Sequence, residues 1–151
     1  MQAALELGKA LRGGYQLLVS SGAQRATQTL ACFACALGER VPGGAVVESG
    51  VRSEVEDRWR QAYQEASSGE LGALRSADPG LVEEDSAVLG AALGRVLDRL
   101  SDGGRALVVG HSPTNEAAVL GLTGKVVEPM AKGAGVLVVV DGEDTRVERL
   151  D

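Results

Sequence analysis

Apolar residues along the 151-residue chain form short continuous runs that alternate with longer segments of helical spacing. The short runs are bounded by glycine, serine or aspartate, and they predict buried strands at 15–19, 45–47, 106–109 and 136–140. The longer segments have apolar positions three and four residues apart, and they predict helices at 1–12, 23–38, 53–66, 86–100 and 114–122. Residues 67–80 are rich in serine, glycine and aspartate, which predicts a loop or a broken helix.

Strands that alternate with helices are typical of a mostly parallel sheet covered on both faces. The turn signal Asp141-Gly142 after the last apolar run predicts a hairpin that ends with a strand at 145–150. A chain of this length is one ordinary domain. We therefore predict a single three-layer α/β/α domain over residues 1–151, with a mostly parallel sheet and a C-terminal hairpin.

Composition and charge narrow the classes of partner. Hydrophobic residues make up 44% of the chain and aromatic residues only 3%, so the core must consist mainly of alanine, valine and leucine. The net charge of −6 argues against nucleic acid as a partner, because nucleic-acid binding needs a basic face. It leaves room for a small anionic ligand, because a local pocket can be positive on an acidic protein.

Three features indicate a cytoplasmic protein without a membrane partner. The two cysteines, Cys32 and Cys35, are too close together to close a useful disulfide loop, which favours a reducing compartment. The longest apolar run, at 136–140, is far too short to span a bilayer. The residues that follow Met1 do not have the pattern of a signal peptide.

Polar residues follow two of the predicted strands, at 20–25 and 110–114. Ligands of open parallel sheets bind beyond the carboxyl ends of the strands. Both segments lead into a predicted helix, and the second has Ser112 and Pro113 in the order expected for a cap and a first helical residue. Helix N-termini favour anions, because free backbone N–H groups and the helix dipole point toward them.

The side chains at these strand ends suit a phosphate group. Arg25 provides a planar, two-pronged donor, and His111, the only histidine in the chain, can donate a hydrogen bond or transfer a proton near neutral pH. Ser21 and Ser112 add hydroxyl groups. We therefore predict a pocket for inorganic phosphate or a phosphorylated small molecule. The alternatives are an Arg25 that is simply solvated in a first helical turn and a structural His111 at the sheet edge.

Two motifs resemble the histidine phosphatase (phosphoglycerate mutase-like) superfamily. Residues 17–29, LLVSSGAQRATQT, look like its segment of a strand followed by Ser-Ser, Arg-Ala and Gln-Thr. Residues 106–112, ALVVGHS, look like its second hallmark, an apolar strand that ends in Gly-His. The order and separation of the motifs also match, and residues 133–135 fit the family's step into a final strand. The resemblance spans nearly the whole chain and implies a phosphoglycerate mutase-like fold.

The resemblance also implies roles for individual residues. Arg25 would grip the phosphoryl group, and His111 would stabilise its charge in the transition state. A carboxylate of the middle segment would act as general acid and base. Glu54 is the nearest match to the family's Leu-x-Glu stretch, although it is displaced by one position. Glu48 and Glu56 are the competing candidates for this role. Each of these carboxylates could equally belong to a solvated acidic helix face. The family chemistry is phosphomonoester hydrolysis or phosphomutase chemistry through a phosphohistidine, without a metal or cofactor.

One family feature is missing from the chain. The nucleophilic histidine of the family lies in an Arg-His-Gly motif on an N-terminal strand, which would precede Met1, and the chain has no second histidine. We therefore expect a chain that is truncated relative to the family and has little or no turnover. The alternatives are a non-catalytic phospho-ligand-binding domain and a dimeric scaffold. The gap in the sheet would be closed by a second copy or by pairing of the C-terminal hairpin with the strand at 106–109.

No other nucleophile motif replaces it. Cys35 and Arg40 are separated by four residues, whereas a cysteine-dependent phosphatase needs five. Residues 141–145 look like a hairpin turn, and residues 121–125 lack the glycine spacing of a P-loop. The substrate is left open, because the residues of the middle segment that suit phosphorylated metabolites could equally be solvated surface; they are Arg52, Arg58, Arg60 and Tyr63.

Overall fold

The structure is a computed structural model that describes residues 14–150, so the helix predicted at 1–12 lies outside the described residues. Its strands are β1 (Leu17–Ser20), β2 (Ala45–Val47), β3 (Ala106–Val109), β4 (Gly135–Asp141) and β5 (Asp144–Leu150). Its helices are α1 (Gln24–Leu37), α2 (Glu56–Ala66), α3 (Leu71–Ala77), α4 (Pro79–Asp98) and α5 (Thr114–Thr123), and a 3-10 turn covers Ser49–Val51. These elements confirm the predicted α/β class, and every strand forms close to its predicted position.

Three strands form a parallel sheet in the order β2-β1-β3. Ser20, the last residue of β1, is in register with Val47 of β2 and with Val109 of β3. All three strands therefore end at the same edge of the sheet. The two polar segments singled out in the sequence follow β1 and β3, so this edge brings them side by side.

Helices cover both faces of this sheet, as the alternation of apolar strand residues requires. Leu18 packs with Leu30 of α1 on one face, in a cluster that includes half-buried residues of β3. Val19 packs with Val96 of α4 on the other face. The arrangement of a parallel sheet between helical layers is therefore confirmed.

A third apolar cluster joins the four helices of the middle and C-terminal parts of the chain. Trp59 of α2, Leu74 of α3, Leu89 of α4 and Ala117 of α5 are all buried in it. Helices α4 and α5 pack closely, and their backbones approach each other where Gly90 faces Gly121. This cluster fixes the middle segment against the helix that follows β3.

The segment 67–80 forms a broken helix, one of its two predicted alternatives, with an interruption at Asp78. It forms α3 and the beginning of α4, because Leu71 and Leu74 provide buried anchors despite the neighbouring glycines. The carboxylate of Asp78 accepts a hydrogen bond of 3.1 Å from Leu81 N and caps α4. Consequently α4 begins at Pro79, seven residues before the predicted start at 86.

The C-terminal hairpin is confirmed, with β4 and β5 antiparallel and Asp141 paired with Asp144. Within residues 14–150 it forms a separate two-stranded sheet, so the prediction that it pairs with the strand at 106–109 is wrong. The hairpin is instead tied to the loop before it: Lys125 Nζ donates to the carbonyl of Thr145, and Arg149 pairs with Glu128. In the part of the chain that the structure covers, no helix is both long and apolar enough to cross a membrane.

Candidate functional site

The residues that follow β1 and β3 meet in direct contact at the carboxyl edge of the sheet. The backbone N–H of Ser21 donates to the carbonyl of Val109 over 3.1 Å, which extends the pairing one residue beyond β1. The hydroxyl of Ser21 then lies 3.2 Å from Nε2 of His111. Two residues that are 90 positions apart in the sequence are thus brought together, as the two strand-end motifs predict.

The turn into α1 leaves the N-terminus of this helix without a side-chain acceptor. Ser20 Oγ accepts a hydrogen bond from Gly22 N, and Gly22 has a φ of +89°, a conformation that favours glycine. The cap residue Ala23 has no acceptor side chain, and the first turn of α1 holds no acidic residue. Arg25 is exposed in this turn. The helix dipole and the Arg25 guanidinium therefore act in the same direction and favour an anion.

His111 is half-buried and held by the start of α5. Its carbonyl accepts hydrogen bonds from Thr114 Oγ1 at 2.9 Å and from Asn115 N at 2.6 Å. Burial lowers the pKa of His111 below its usual value of 6.5, because water no longer stabilises the imidazolium. Among the described charges, the carboxylate of Glu56 raises this pKa, and Arg52 and Arg25 lower it. An anionic ligand would raise the pKa of His111 by stabilising the imidazolium.

The N-terminus of α5 differs from that of α1, because a carboxylate of its own chain occupies it. Glu116 is 1% exposed, and its Oε1 accepts hydrogen bonds of 2.7 Å from the Ser112 hydroxyl and from Met130 N. Helix α5 begins at Thr114 with Pro113 as its cap residue, so the prediction that Ser112 caps the helix is wrong. The Ser112 hydroxyl proton is engaged by Glu116, which leaves Ser21 as the hydroxyl beside His111.

The middle segment contributes an ion pair to the neighbourhood of His111. Arg52, which precedes α2, donates from its Nε to Oε1 of Glu56, the first residue of α2, over 2.7 Å. The hydrogen bond from Arg52 is the main cause that lowers the pKa of Glu56. Glu56 is therefore ionised near neutral pH, in the form that can accept a proton.

Of the three predicted carboxylates, Glu56 is the one whose charge raises the pKa of His111. Glu54 and Glu56 are both exposed and both line a shallow surface depression formed by residues 52–58, so exposure does not separate them. Glu48 accepts from Gly50 N at 3.1 Å and pairs with Arg95 at 3.3 Å, so its carboxylate stabilises the 3-10 turn. The structure thus favours one of the alternatives that the sequence left open.

Arg52 is the site residue that the sequence indicated least clearly. It was one of four residues named for the substrate, together with Arg58, Arg60 and Tyr63. Arg58 pairs with Asp78, and Arg60 pairs with Asp57, both at the outer side of the middle segment. Arg52 lies before the first residue of α2, so the helical spacing rule does not apply to it and no sequence signal sets it apart from the other three.

The described residues contain no group of three or more histidine, cysteine, aspartate and glutamate side chains arranged to hold a metal ion. Comparison of the chain with protein-family models, with curated proteins and with solved structures found no match. The resemblance to histidine phosphatases therefore stays a prediction that rests on the two motifs.

Proposed function

We propose that this site binds the phosphoryl group of inorganic phosphate or of a phosphorylated small molecule, within a phosphoglycerate mutase-like domain. The observation that carries the proposal is the 3.2 Å contact between Ser21 Oγ and His111 Nε2, beside the uncapped start of α1. This contact joins a hydroxyl to an imidazole, and Ser21 precedes the first residue of α1 by three positions. Arg25 adds a permanent positive charge in the same helical turn.

Each group has a separate part in binding. The N–H groups of the first turn of α1 and the Arg25 guanidinium donate to phosphoryl oxygens. His111 contributes most when it is protonated, and a bound dianion raises its pKa by stabilising the imidazolium. Ser21 can donate its hydroxyl proton to the ligand or orient the imidazole. Glu56 repels an anion, but its pairing with Arg52 largely neutralises this effect at the rim of the site.

The proposed chemistry follows from the resemblance. In a phosphohistidine mechanism Arg25 and His111 would stabilise the transferring phosphoryl group, and Glu56 would exchange the proton of the leaving group, with Glu54 and Glu48 as alternatives. His111 is the only histidine of the sequence, and it is assigned to charge stabilisation. We therefore expect the 151-residue chain to bind phosphate without significant turnover.

The test is to measure p-nitrophenyl phosphate hydrolysis and the melting temperature in the presence of phosphate or vanadate. The variants are His111→Ala, Arg25→Ala and, as a matched control, Arg40→Ala, an exposed arginine beyond the far end of α1. We expect no turnover, and a ligand-induced rise in melting temperature that Arg25→Ala abolishes and Arg40→Ala preserves. A rise that survives Arg25→Ala would overturn the binding proposal. Turnover that both His111→Ala and Arg25→Ala abolish would mean that the site is catalytic without the family's nucleophile, and it would overturn the proposed mechanism.

A second candidate function is a dimeric scaffold, and one observation favours it. Within residues 14–150, β3 pairs only with β1, and its residues are half-buried on the sheet. Such an edge can pair with a strand of a second copy. Light scattering over a concentration series tests this candidate: a mass of twice the 15.5 kDa chain supports it, and a monomer at all concentrations excludes it.

A further inference from the structure

Asp85 of α4 is a buried carboxylate that connects three segments of the chain. Asp85 is 8% exposed and lies among the apolar residues of the helical cluster. One carboxylate oxygen, Oδ2, accepts hydrogen bonds from Ser53 Oγ at 2.7 Å and from Trp59 Nε1 at 2.6 Å. Removing a carboxylate from water is unfavourable unless such donors replace the water. The bonds therefore constrain Ser53 and Trp59 strongly.

The segment held by Asp85 is the one that carries the Arg52–Glu56 ion pair. Ser53 directly follows Arg52, and its hydroxyl also accepts a hydrogen bond of 3.0 Å from Val55 N, which shapes the turn into α2. Trp59 lies one helical turn after Glu56 and is 3% exposed. The preceding 3-10 turn, Ser49–Val51, packs against α4 and α5. Both ends of the ion pair are therefore tied to the helices around the site.

We propose that Asp85 is a positioning residue that holds the 52–56 segment, and with it the Arg52–Glu56 ion pair, at the anion-binding site. Asp85 acts through Ser53 and Trp59 and does not contact the ligand. Only the effect of Asp85 on ligand binding rests on the proposed function, because the positioning of the 52–56 segment does not require a ligand. Among the described residues, the charges that affect the pKa of His111 are those of Glu56 and Arg52, in the segment that Asp85 holds, and of Arg25 in α1.

A purely structural polar group would stabilise the fold without affecting the site. The matched control for this possibility is Leu74→Ala, because Leu74 is fully buried in the same helical cluster but lies on α3. This substitution removes buried methyl groups and destabilises the domain without removing a hydrogen bond of the 52–56 segment. Asp85→Asn is the conservative variant, since an amide oxygen can still accept from both donors.

The experiment is an NMR titration of His111, whose signal is unambiguous because the chain has one histidine. Glu56→Gln is made in the wild-type, Asp85→Ala, Asp85→Asn and Leu74→Ala backgrounds. Because the Glu56 carboxylate raises the pKa of His111, Glu56→Gln should lower the titration midpoint in the wild type. We expect that shift to persist with Leu74→Ala and Asp85→Asn and to disappear with Asp85→Ala. An equal shift in the Asp85→Ala and wild-type backgrounds overturns the proposal.

If Asp85→Ala does not fold, Ser53→Ala combined with Trp59→Phe removes the same two donors and keeps an aromatic ring at position 59. The same criterion then applies to this pair, with Leu74→Ala as the control. A parallel sulfate titration of the wild type and the variants tests the proposed function itself. If no variant and no wild-type protein binds sulfate, the proposed function fails, while the titration of His111 still decides the role of Asp85.

Discussion

The hydroxyl of Ser21 and Nε2 of His111 lie 3.2 Å apart, although one residue follows β1 and the other follows β3. The contact depends on the parallel pairing of these two strands, which ends both at one edge of the sheet. It joins the uncapped N-terminus of α1 to a titratable side chain. The pH dependence of anion binding at this site can therefore be derived from the environment of His111.

Sulfate affinity should fall as the pH rises from about 5 to about 8. Sulfate keeps its charge over this range, so the change reports on the protein. Burial lowers the pKa of His111 in the free protein, and the bound dianion raises it again. Affinity is therefore highest below the pKa of free His111 and falls until the pH exceeds the pKa of His111 in the complex. Calorimetric titration at several pH values measures this effect.

His111→Gln is the control for this pH dependence, because glutamine can donate a hydrogen bond but carries no charge. In this variant the affinity should be weaker at low pH and nearly constant over the range. A wild-type affinity that does not change with pH would mean that the anion does not interact with His111.

Arg25→Ala should weaken phosphate or sulfate binding by about tenfold to hundredfold, since hydrogen bonds to charged groups contribute about 1.5–3 kcal/mol. Arg40→Ala removes the same charge from an exposed position beyond the opposite end of the 14-residue helix α1. Its effect should stay below about twofold, because the distance exceeds the screening length at physiological salt. Calorimetry of both variants at one pH and salt concentration provides the comparison. Equal losses would indicate non-specific attraction rather than a site.

The sequence predicts the sheet well because its strands are short apolar runs bounded by glycine or serine, as at 106–109. For 67–80 it leaves a loop and a broken helix open, because Gly69, Gly72 and Ser68 suggest breaks, and burial of Leu71 and Leu74, which stabilises α3, decides for the broken helix. That burial depends on the packing of α2, α4 and α5, which no local pattern contains. Tertiary packing therefore overrides the local preference in this segment.

The residues of the candidate site also divide into those that a local sequence pattern predicts and those whose position depends on tertiary packing. Ser21, Arg25 and His111 can be predicted because Ser21 and His111 lie just after strands, Arg25 lies in the first turn of the helix that follows β1, and parallel strands end together. The place of Glu56 cannot be predicted, because it depends on the buried bonds from Ser53 and Trp59 to a carboxylate in another helix. Such contacts between distant parts of the chain have no periodic signature.

His111 should also make the stability of the domain depend on pH. Its pKa is lower in the folded protein than in the unfolded chain, so the unfolded chain binds more protons between the two values. The contribution of His111 to the free energy of unfolding is therefore fully present above the ordinary histidine pKa of about 6.5 and decreases as the pH falls below it. Urea unfolding at about pH 7.5 and about pH 5.5 measures the decrease. The His111→Gln variant should lose less stability over this interval, and an equal loss would contradict the pKa direction.

The packing of α4 against α5 can be tested with two glycines of the same helix. A Cβ at Gly90 would overlap the backbone of Gly121 and Leu122, whereas a Cβ at Gly94 would meet no atom within 4 Å. Gly90→Ala should therefore destabilise the domain by about 1–3 kcal/mol or more, because the helices must move apart. Gly94→Ala should stabilise it by about 0.4–1 kcal/mol, because alanine restricts the unfolded chain and favours a helix. Denaturant unfolding of both variants measures the difference, and equal effects would show that α4 and α5 do not approach closely at Gly90.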